Sequence, residues 1–289
     1  MSAVIGTSNT NLMNNFPRLF LLTDNLQTHP QLQLRGPNGN NFMNFRFDNQ
    51  TIDISNNTGT PLAVQATILG FGAQGGATSD ATAIGFEANA TGGNTSTAVG
   101  YSATATGDDS TALGHDAKAQ AANATAVGRD AQATRDDTTA LGHGSRATVT
   151  NATAVGRNSQ STAANTTAIG FSSRATSDMS TAYGCLAEAT SDSSIAVGHT
   201  AHANGSNSVA LGARFENTNC TAGANSVAIG AGAWAFNISG TTVANAVAIG
   251  FRANAGDNGV AIGGPEGIGN QQNTRTGANA VALGSGTNA

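Results

Sequence analysis

A short marker, Ala followed by Ile, Val or Leu and then Gly, recurs along most of the chain and restricts the possible folds more than any other feature. The marker glycine stands at residues 85, 100, 114, 128, 142, 156, 170, 184, 198, 212, 230, 250, 263 and 284, and Gly70 ends a degenerate first copy. The nine intervals between 85 and 212 are 14 or 15 residues long. So regular a period predicts a solenoid, in which each repeat forms one coil and contacts its neighbours.

Each copy contains two segments that alternate with period two, which is typical of strands. Ala stands two residues before the marker glycine in all fourteen copies, and Ile, Val or Leu stands one residue before it in thirteen, with Tyr183 as the exception. Ala or Ser recurs three and five residues after the glycine, as in Ala88 and Ala90. The residues between the segments are rich in Gly, Asp, Asn and Ser, which favour turns. We therefore expect an all-β solenoid with two short strands and two tight turns in each coil, and no helix.

The small residues are expected to fill the inside of each coil, because two strands joined by such short turns leave room only for Ala and Ser. Period-two alternation then places the larger apolar residues on the outside of the same strand. We call this outer column the apolar stripe. Its members are Ile84, Val99, Leu113, Val127, Leu141, Val155, Ile169, Val197, Leu211, Ile229, Ile249, Ile262 and Leu283.

The apolar stripe predicts self-association. A continuous apolar column of this length exceeds the exposed apolar patches that soluble monomers usually carry. We therefore expect the stripe to form the interface of a homo-oligomer that has no stable monomer.

The sequence resembles a known family of surface proteins. The hexapeptides at 207–212 (NSVALG) and 225–230 (NSVAIG), with the Ala-x-Ala segments of the other copies, are similar to the head repeats of YadA-like trimeric autotransporter adhesins. The resemblance covers about residues 69–289. It implies a left-handed parallel β-roll, a homotrimer with the apolar stripe facing the threefold axis, and adhesion to a host receptor or extracellular matrix.

Residues 1–68 do not repeat and contain five of the eleven Phe residues. Segments 31–35, 44–48 and 51–54 alternate apolar with polar residues, and 36–39 (GPNG) favours a turn. We expect two domains: a β-rich attachment module at 1–68 and the repeat domain at 69–289.

The sequence shows no signal peptide, stalk or membrane anchor of the kind that autotransporter adhesins carry, and no membrane-inserting segment. We therefore expect a fibre on a virion or phage particle, mounted on a virion or tail structural protein through residues 1–68. The head of a bacterial cell-surface adhesin and a purely structural spike remain alternatives.

The C-terminal copies carry the candidate receptor site, which would bind a protein or a glycan. Marker intervals lengthen there to 18, 20 and 21 residues and insert loops near 215–221, 238–245 and 265–277. Loops on a rigid scaffold often carry recognition. Trp234 and Phe236 stand in outward columns beside these loops, and Phe215 lies in the first loop. We predict that these aromatic residues contact the receptor, although the loops could instead cover them.

Other functions are disfavoured. The chain has no recognisable catalytic motif, so we expect no catalytic residues and no cofactor, although cleavage of a glycan by carboxylates between chains stays conceivable. A net charge of −5, with 12 Lys and Arg residues, argues against nucleic-acid binding. His115, His143 and His199 follow marker glycines, but Arg129 and Arg157 share that column, which favours surface turns over a metal site.

The residue three before the marker glycine is Thr in eight copies, from Thr82 to Thr181, and Ile or Val in the later six. This column shares a face with the apolar stripe. Either it reflects variation in packing or it lines a wetter, N-terminal part of the trimer axis.

Overall fold

The computed structural model describes the backbone of residues 18–22, 31–35, 42–48 and 51–55, and residues 66–76, 80–93, 95–216, 218–236, 245–264 and 274–289. The chain divides into two compact units, residues 1–64 and 65–289. Every regular element within the described ranges is a strand, which confirms the all-β prediction.

The first unit contains a four-stranded antiparallel sheet in the order β1-β2-β3-β4. Its strands are β1 (Arg18–Leu22), β2 (Gln31–Arg35), β3 (Phe42–Asp48) and β4 (Thr51–Ser55). The alternating segments predicted at 31–35, 44–48 and 51–54 coincide with β2, β3 and β4 to within two residues. The turn predicted at 36–39 lies outside the described residues.

The sequence did not reveal β1. Its residues, RLFLL, form an apolar run without period-two alternation and follow Pro17, so the pattern that identified the other strands is absent. In the sheet, Leu19 and Leu21 lie opposite Leu34 and Leu32 of β2.

The second unit is a parallel β-solenoid made of two long sheets. Each coil contributes one strand to each sheet. The first sheet consists, in the described residues, of β5 (Ala66–Leu69), β7 (Ala81–Ile84), β9 (Thr97–Val99), β11 (Thr111–Leu113), β13 (Thr125–Val127), β15 (Thr139–Leu141), β17 (Thr153–Val155), β19 (Thr167–Ile169), β21 (Thr181–Tyr183), β23 (Ile195–Val197), β25 (Val209–Leu211), β27 (Val227–Ile229), β29 (Val247–Ile249), β31 (Val260–Ile262) and β33 (Val281–Leu283). The second consists of β6 (Gln74–Gly75), β8 (Asn89–Ala90), β10 (Thr104–Ala105), β12 (Lys118–Ala119), β14 (Gln132–Ala133), β16 (Arg146–Ala147), β18 (Gln160–Ser161), β20 (Arg174–Ala175), β22 (Glu188–Ala189), β24 (His202–Ala203), β26 (Thr221–Ala222), β28 (Trp234–Ala235), β30 (Asn254–Ala255) and β32 (Arg275–Thr276).

Strands of successive coils pair in parallel and in register, so each sequence column becomes a column in space. Leu113 of β11, for example, lies beside Val99 on one side and Val127 on the other. The longer intervals keep this register, because Val209 still pairs with Val227 and Val227 with Val247. The added residues of these intervals therefore do not shift the columns.

The inside of the solenoid is filled by small side chains, as predicted. The Ala two residues before each marker glycine is fully buried in nearly every copy, as are the Ala or Ser residues three and five after it. Buried hydroxyls at the turns find local acceptors: Ser110 Oγ donates to Gly107 O at 2.6 Å, and Thr166 Oγ1 donates to Ala163 O at 2.6 Å. Most buried hydroxyls of the core are thus satisfied within their own turn, whereas those of Ser96 and Ser208 have no partner among the described residues.

The second turn of each coil contains a residue in the left-handed region, commonly Asn or Asp. Adjacent coils are linked there by side chains: Asn123 Nδ2 donates to Asp137 Oδ1 at 2.9 Å, and Asn151 Nδ2 donates to Asn165 Oδ1 at 2.9 Å. Asn and Asp tolerate this conformation better than other non-glycine residues. Turn geometry therefore accounts for much of the Asn and Asp in the repeat.

The marker glycine is required by both its conformation and its surroundings. Gly142 has φ of +131°, and a Cβ placed on it would lie 2.6 Å from the carbonyl oxygen of Gly156 in the next coil. Gly128 and Gly156 meet the same restriction. Coils can approach at the strand spacing of about 4.8 Å only if this column carries no side chain.

We predict that Gly142→Ala destabilises the solenoid by about 1–3 kcal/mol through backbone strain, with a further penalty from the clash. Thermal unfolding followed by circular dichroism measures the effect. Gly144→Asn is the matched control, because Gly144 has φ of +65° and the equivalent residue of the next coil is Asn158, with φ of +56°. A Cβ there would lie 2.7 Å from Asn158 Oδ1, the end of a side chain that can rotate away, and not from backbone. Equal melting temperatures for Gly142→Ala and the unmodified protein would contradict this account.

Candidate functional site

The outer face of the first sheet carries the apolar stripe. None of its members is buried within the chain, and most are half-buried. Leu113 is 36% exposed, Ile262 is 40% exposed and Leu283 is 63% exposed. Tyr183, which replaces the aliphatic residue in β21, is 54% exposed. The second unit therefore presents an apolar column along one complete sheet.

The Thr column lies on the same face as the stripe, as the alternation required. In β11, β13 and β15, Thr and the apolar residue both face outward on either side of a fully buried Ala. The Thr positions give way to Ile195 in β23, which is 40% exposed, and to Val209 in β25. The face is thus more polar in its N-terminal half and wholly aliphatic in most of its C-terminal half.

A ladder of aromatic rings, which the sequence analysis missed, follows the marker glycines of the first coils. Phe71 stacks on Phe86 with ring centroids 5.7 Å apart, Phe86 on Tyr101 at 5.2 Å, and Tyr101 on His115 at 4.9 Å. The three Phe and Tyr rings are exposed. The sequence contains the pattern, because all four residues directly follow a marker glycine or Gly70. Only the His and Arg residues of this column had been considered, in relation to a metal site.

Trp234 and Phe236 lie close together at the C-terminal end of the second sheet. Their ring centroids are 6.5 Å apart, and both side chains are half-buried. Trp234 stands on the outer face of β28, between Thr221 and Asn254 in the ladder. The indole Nε1 is buried and has no hydrogen-bond partner among the described residues.

Phe215 lies in a different cluster, which sequence reasoning did not identify. Its ring meets that of Phe251 edge to face, with centroids 4.5 Å apart, and the Arg252 guanidinium carbon lies 5.9 Å from its centroid. Arg252 is also 3.9 Å from a carboxylate oxygen of Glu216. The loop passes over Gly232 of the intervening coil, where a Cβ would lie 3.5 Å from Phe215 Cβ, an ordinary contact distance. Phe215 is thus packed against its own chain and is only half-buried.

The three histidines that follow marker glycines do not converge within the chain, since they lie in separate coils of one column. His115 Nδ1 lies 2.9 Å from an Asp116 carboxylate oxygen. Ligand atoms of His115, Asp116 and Asp130 all fall within 4.8 Å of one another, but Asp130 is also engaged by Arg129 at 3.1 Å. A contact between the adjacent turn residues His115 and Asp116, together with the Arg129–Asp130 ion pair, accounts for this cluster.

The two cysteines occupy different environments. Cys220 replaces the inward Ala of its coil and is fully buried, and burial raises the pKa of its thiol to about 12. Cys185 follows a marker glycine and is half-buried. Cys220 is therefore a core residue that stays protonated at neutral pH.

Among the described residues, no helix has the length and apolar character that crossing a bilayer requires.

Comparison with known families agrees with the repeat geometry. The family model of the YadA head domain repeat matches residues 79–103, 92–117, 105–131, 119–145, 133–159, 147–173, 161–184, 189–214 and 222–241. These overlapping matches cover just over half of the chain and lie within the solenoid. No individual curated protein matches the sequence. The resemblance first seen in the hexapeptides and Ala-x-Ala segments is confirmed.

Proposed function

Since the chain belongs to the YadA head-repeat family, a family of adhesin heads rather than enzymes, we propose that it forms the attachment head of a homotrimeric surface fibre. The observation that carries this proposal is the apolar stripe. It runs in register along one sheet, and no described residue of the chain covers it. The surfaces of three chains facing one axis would cover it.

The stripe supplies the stability of the proposed trimer. Full burial of a completely exposed Val, Leu or Ile side chain contributes about 1.5–3 kcal/mol. Most stripe residues are already half-buried within the chain, so each would add only part of that amount, but more than ten of them act together in every chain. The core inside each coil is mostly Ala, which removes little apolar surface from water. The assembly, rather than the single chain, is therefore the stable folded species.

We predict that Leu141→Glu/Val155→Glu prevents trimer formation, because it places carboxylates side by side at the centre of the interface. Sedimentation equilibrium or light scattering coupled to size exclusion would show monomers or aggregates in place of a trimer. The matched control is Asn89→Glu/Thr104→Glu, which adds two carboxylates to the outer face of the second sheet. A trimer that persists in the stripe variant, or that is lost equally in both variants, would contradict the proposed interface.

The proposed receptor site is the C-terminal part of the second sheet, around Trp234 and Phe236. Three features support it: two adjacent aromatic rings that are only half-buried, an indole N–H without an acceptor among the described residues, and their position beside the longest marker intervals. Aromatic residues of this kind often dominate binding interfaces. Phe215 contributes from the neighbouring cluster with Phe251 and Arg252.

We predict that Trp234→Ala reduces attachment to the receptor surface by about tenfold or more while the trimer remains intact. Binding of labelled trimer to whole cells and to immobilised extracellular-matrix proteins measures this effect. The control is Phe171→Ala, which removes an exposed ring from a coil in the middle of the solenoid. If Trp234→Ala attaches as well as the unmodified protein does, the receptor site does not lie at Trp234. If the unmodified trimer itself does not attach, the head is a structural spike and not an adhesin.

The N-terminal unit is proposed as the mount. It is a separate unit whose antiparallel sheet differs in topology from the parallel solenoid that follows. Attachment through this unit would leave the aromatic coils at the free end, as in a virion or phage-tail fibre. The family relation equally favours the second candidate, the head of a bacterial trimeric autotransporter adhesin on the cell surface.

Immunogold electron microscopy of native particles and cells distinguishes these two placements. For a particle fibre, we expect antibodies against coils near residue 250 to label the outer tips, while antibodies against residues 1–68 label only after the particle is disrupted. Labelling of bacterial surfaces, with no labelled particles, would replace the virion assignment by the adhesin head.

A further inference from the structure

The outer face of the second sheet carries a row of charged and amide side chains that the proposed function has not used. The row stands four residues after the marker glycine, between the two inward small residues of each coil. From β12 to β20 its members are Lys118, Gln132, Arg146, Gln160 and Arg174. Cations and amides thus alternate, one per coil; we call these five residues the cationic row.

Strand pairing fixes the spacing of the cationic row. Lys118 lies beside Gln132, Gln132 beside Arg146, and the same order continues to Arg174. Neighbouring strands are about 4.8 Å apart, so successive cations recur at about 9.6 Å along the solenoid. The three cations are exposed, and the two glutamines between them are half-buried.

The charged groups of the row are largely free of partners. The side chains of Lys118 and Arg146 make no hydrogen bond or ion pair with any described residue, whereas Arg174 Nη1 lies 3.6 Å from Glu188 Oε1. That pair is part-exposed and contributes little stability. Glu188, which also lies 3.9 Å from His202 Nε2, occupies the next position in the column and ends the row.

A column of hydroxyls runs beside the cationic row. Thr134, Thr148, Thr162 and Thr176 each stand two residues after a member of the row, on the same side of the extended backbone. Their backbone N–H groups continue the ladder, as in Thr162 N to Ala175 O at 3.0 Å. Their hydroxyls are half-buried and have no hydrogen-bond partner among the described residues, so they are available to a ligand.

We propose that this face binds an extended acidic polysaccharide that carries one carboxylate per disaccharide. The distance between successive cations is close to the length of two linked pyranose rings, so each carboxylate would meet one cation. The intervening glutamine amides and threonine hydroxyls would then hydrogen-bond the uncharged ring hydroxyls. Charge, spacing and hydrogen-bonding groups therefore match one class of ligand.

Nucleic acid fits the row less well. A single strand carries a phosphate at every nucleotide, more closely spaced than the cations, and the row has no aromatic ring on which a base could stack.

The carboxylates near the row lie in the turns on either side of its strands. Asp130 pairs with Arg129 at 3.1 Å, and Asp116 lies 2.9 Å from His115, which is charged only when protonated. After β14 and β20, Asp136 and Asp178 accept the backbone N–H groups of Ala122 and Ala164 at 3.2 and 3.1 Å. Charges farther away are screened over about 8 Å at physiological ionic strength. The local row, rather than the net charge of −5, governs a ligand that lies along it.

This inference adds a ligand class to the proposed adhesive function and uses only one face of one chain. It is therefore tested separately from the apolar stripe and Trp234, and its failure would leave both of those tests unaffected.

The test measures binding of hyaluronan and unsulfated chondroitin oligosaccharides, which carry one carboxylate per disaccharide, to the intact protein by calorimetry or interferometry. The first variant, Lys118→Gln/Arg146→Gln/Arg174→Gln, removes the cations, and about tenfold weaker binding is expected from three exposed ion pairs. The matched control, Arg157→Gln/Arg214→Gln/Arg275→Gln, removes the same charge outside the cationic row and its hydroxyl column and should bind as the unmodified protein does.

A second variant tests spacing at constant charge. Gln132→Arg/Arg146→Gln moves the central cation by one coil, and we expect several-fold weaker binding with an unchanged melting temperature. The proposal is overturned if neither oligosaccharide binds the unmodified protein, if the control loses as much affinity as the triple variant, or if the spacing variant binds equally well. Equal or tighter binding of a single-stranded DNA oligonucleotide would also overturn it, because the face would then select polyanions in general.

Discussion

Hydrogen bonds between the backbones of successive coils are the interaction on which the rest of the solenoid depends. Gly128 N donates to Leu113 O at 2.8 Å, Asp130 N donates to His115 O at 2.9 Å, and the same bonds recur coil after coil. They can form only where neighbouring coils approach to the strand spacing, which the side-chain-free column of marker glycines allows. Once the coils are this close, all remaining positions of the repeat stack on their equivalents in the neighbouring coils. The residue type that recurs at an outward position therefore determines the chemical character of that surface.

The two sheets use this stacking in opposite ways. The first sheet repeats an aliphatic residue and so builds the apolar stripe, which suits association between chains. The second repeats Gln with Lys or Arg over five coils and places Trp234 farther along the same face. A single coil would present only one weakly interacting side chain at such a position. Because the coils stack in register, these side chains form a row with a defined spacing. In the proposed assembly, association between chains and recognition of a ligand would use different faces of the same coil.

Much of this organisation could be predicted from the sequence, because alternation and period specify which column lies inside and which outside. The buried Ala positions, the outward stripe and the alternating segments at 31–35, 44–48 and 51–54 all follow from that pattern. The contact between Phe215 and Phe251 could not be predicted, since it depends on the path of an irregular loop across a whole coil. The ladder of stacked rings that starts at Phe71 was overlooked because its column contains aromatic, imidazole and guanidinium groups. No single residue type recurs there, so the column shows no simple repeat pattern.

The direction of the strands also has a mechanical consequence. Because the strands lie across the solenoid and their hydrogen bonds lie along it, tension between its two ends pulls those bonds apart a few at a time instead of shearing a whole ladder. A single chain under load would therefore lengthen coil by coil, each step releasing about 14 residues of slack, as the marker interval sets. Three chains sharing one apolar stripe would have to open together, so the proposed interface would also serve as reinforcement against traction.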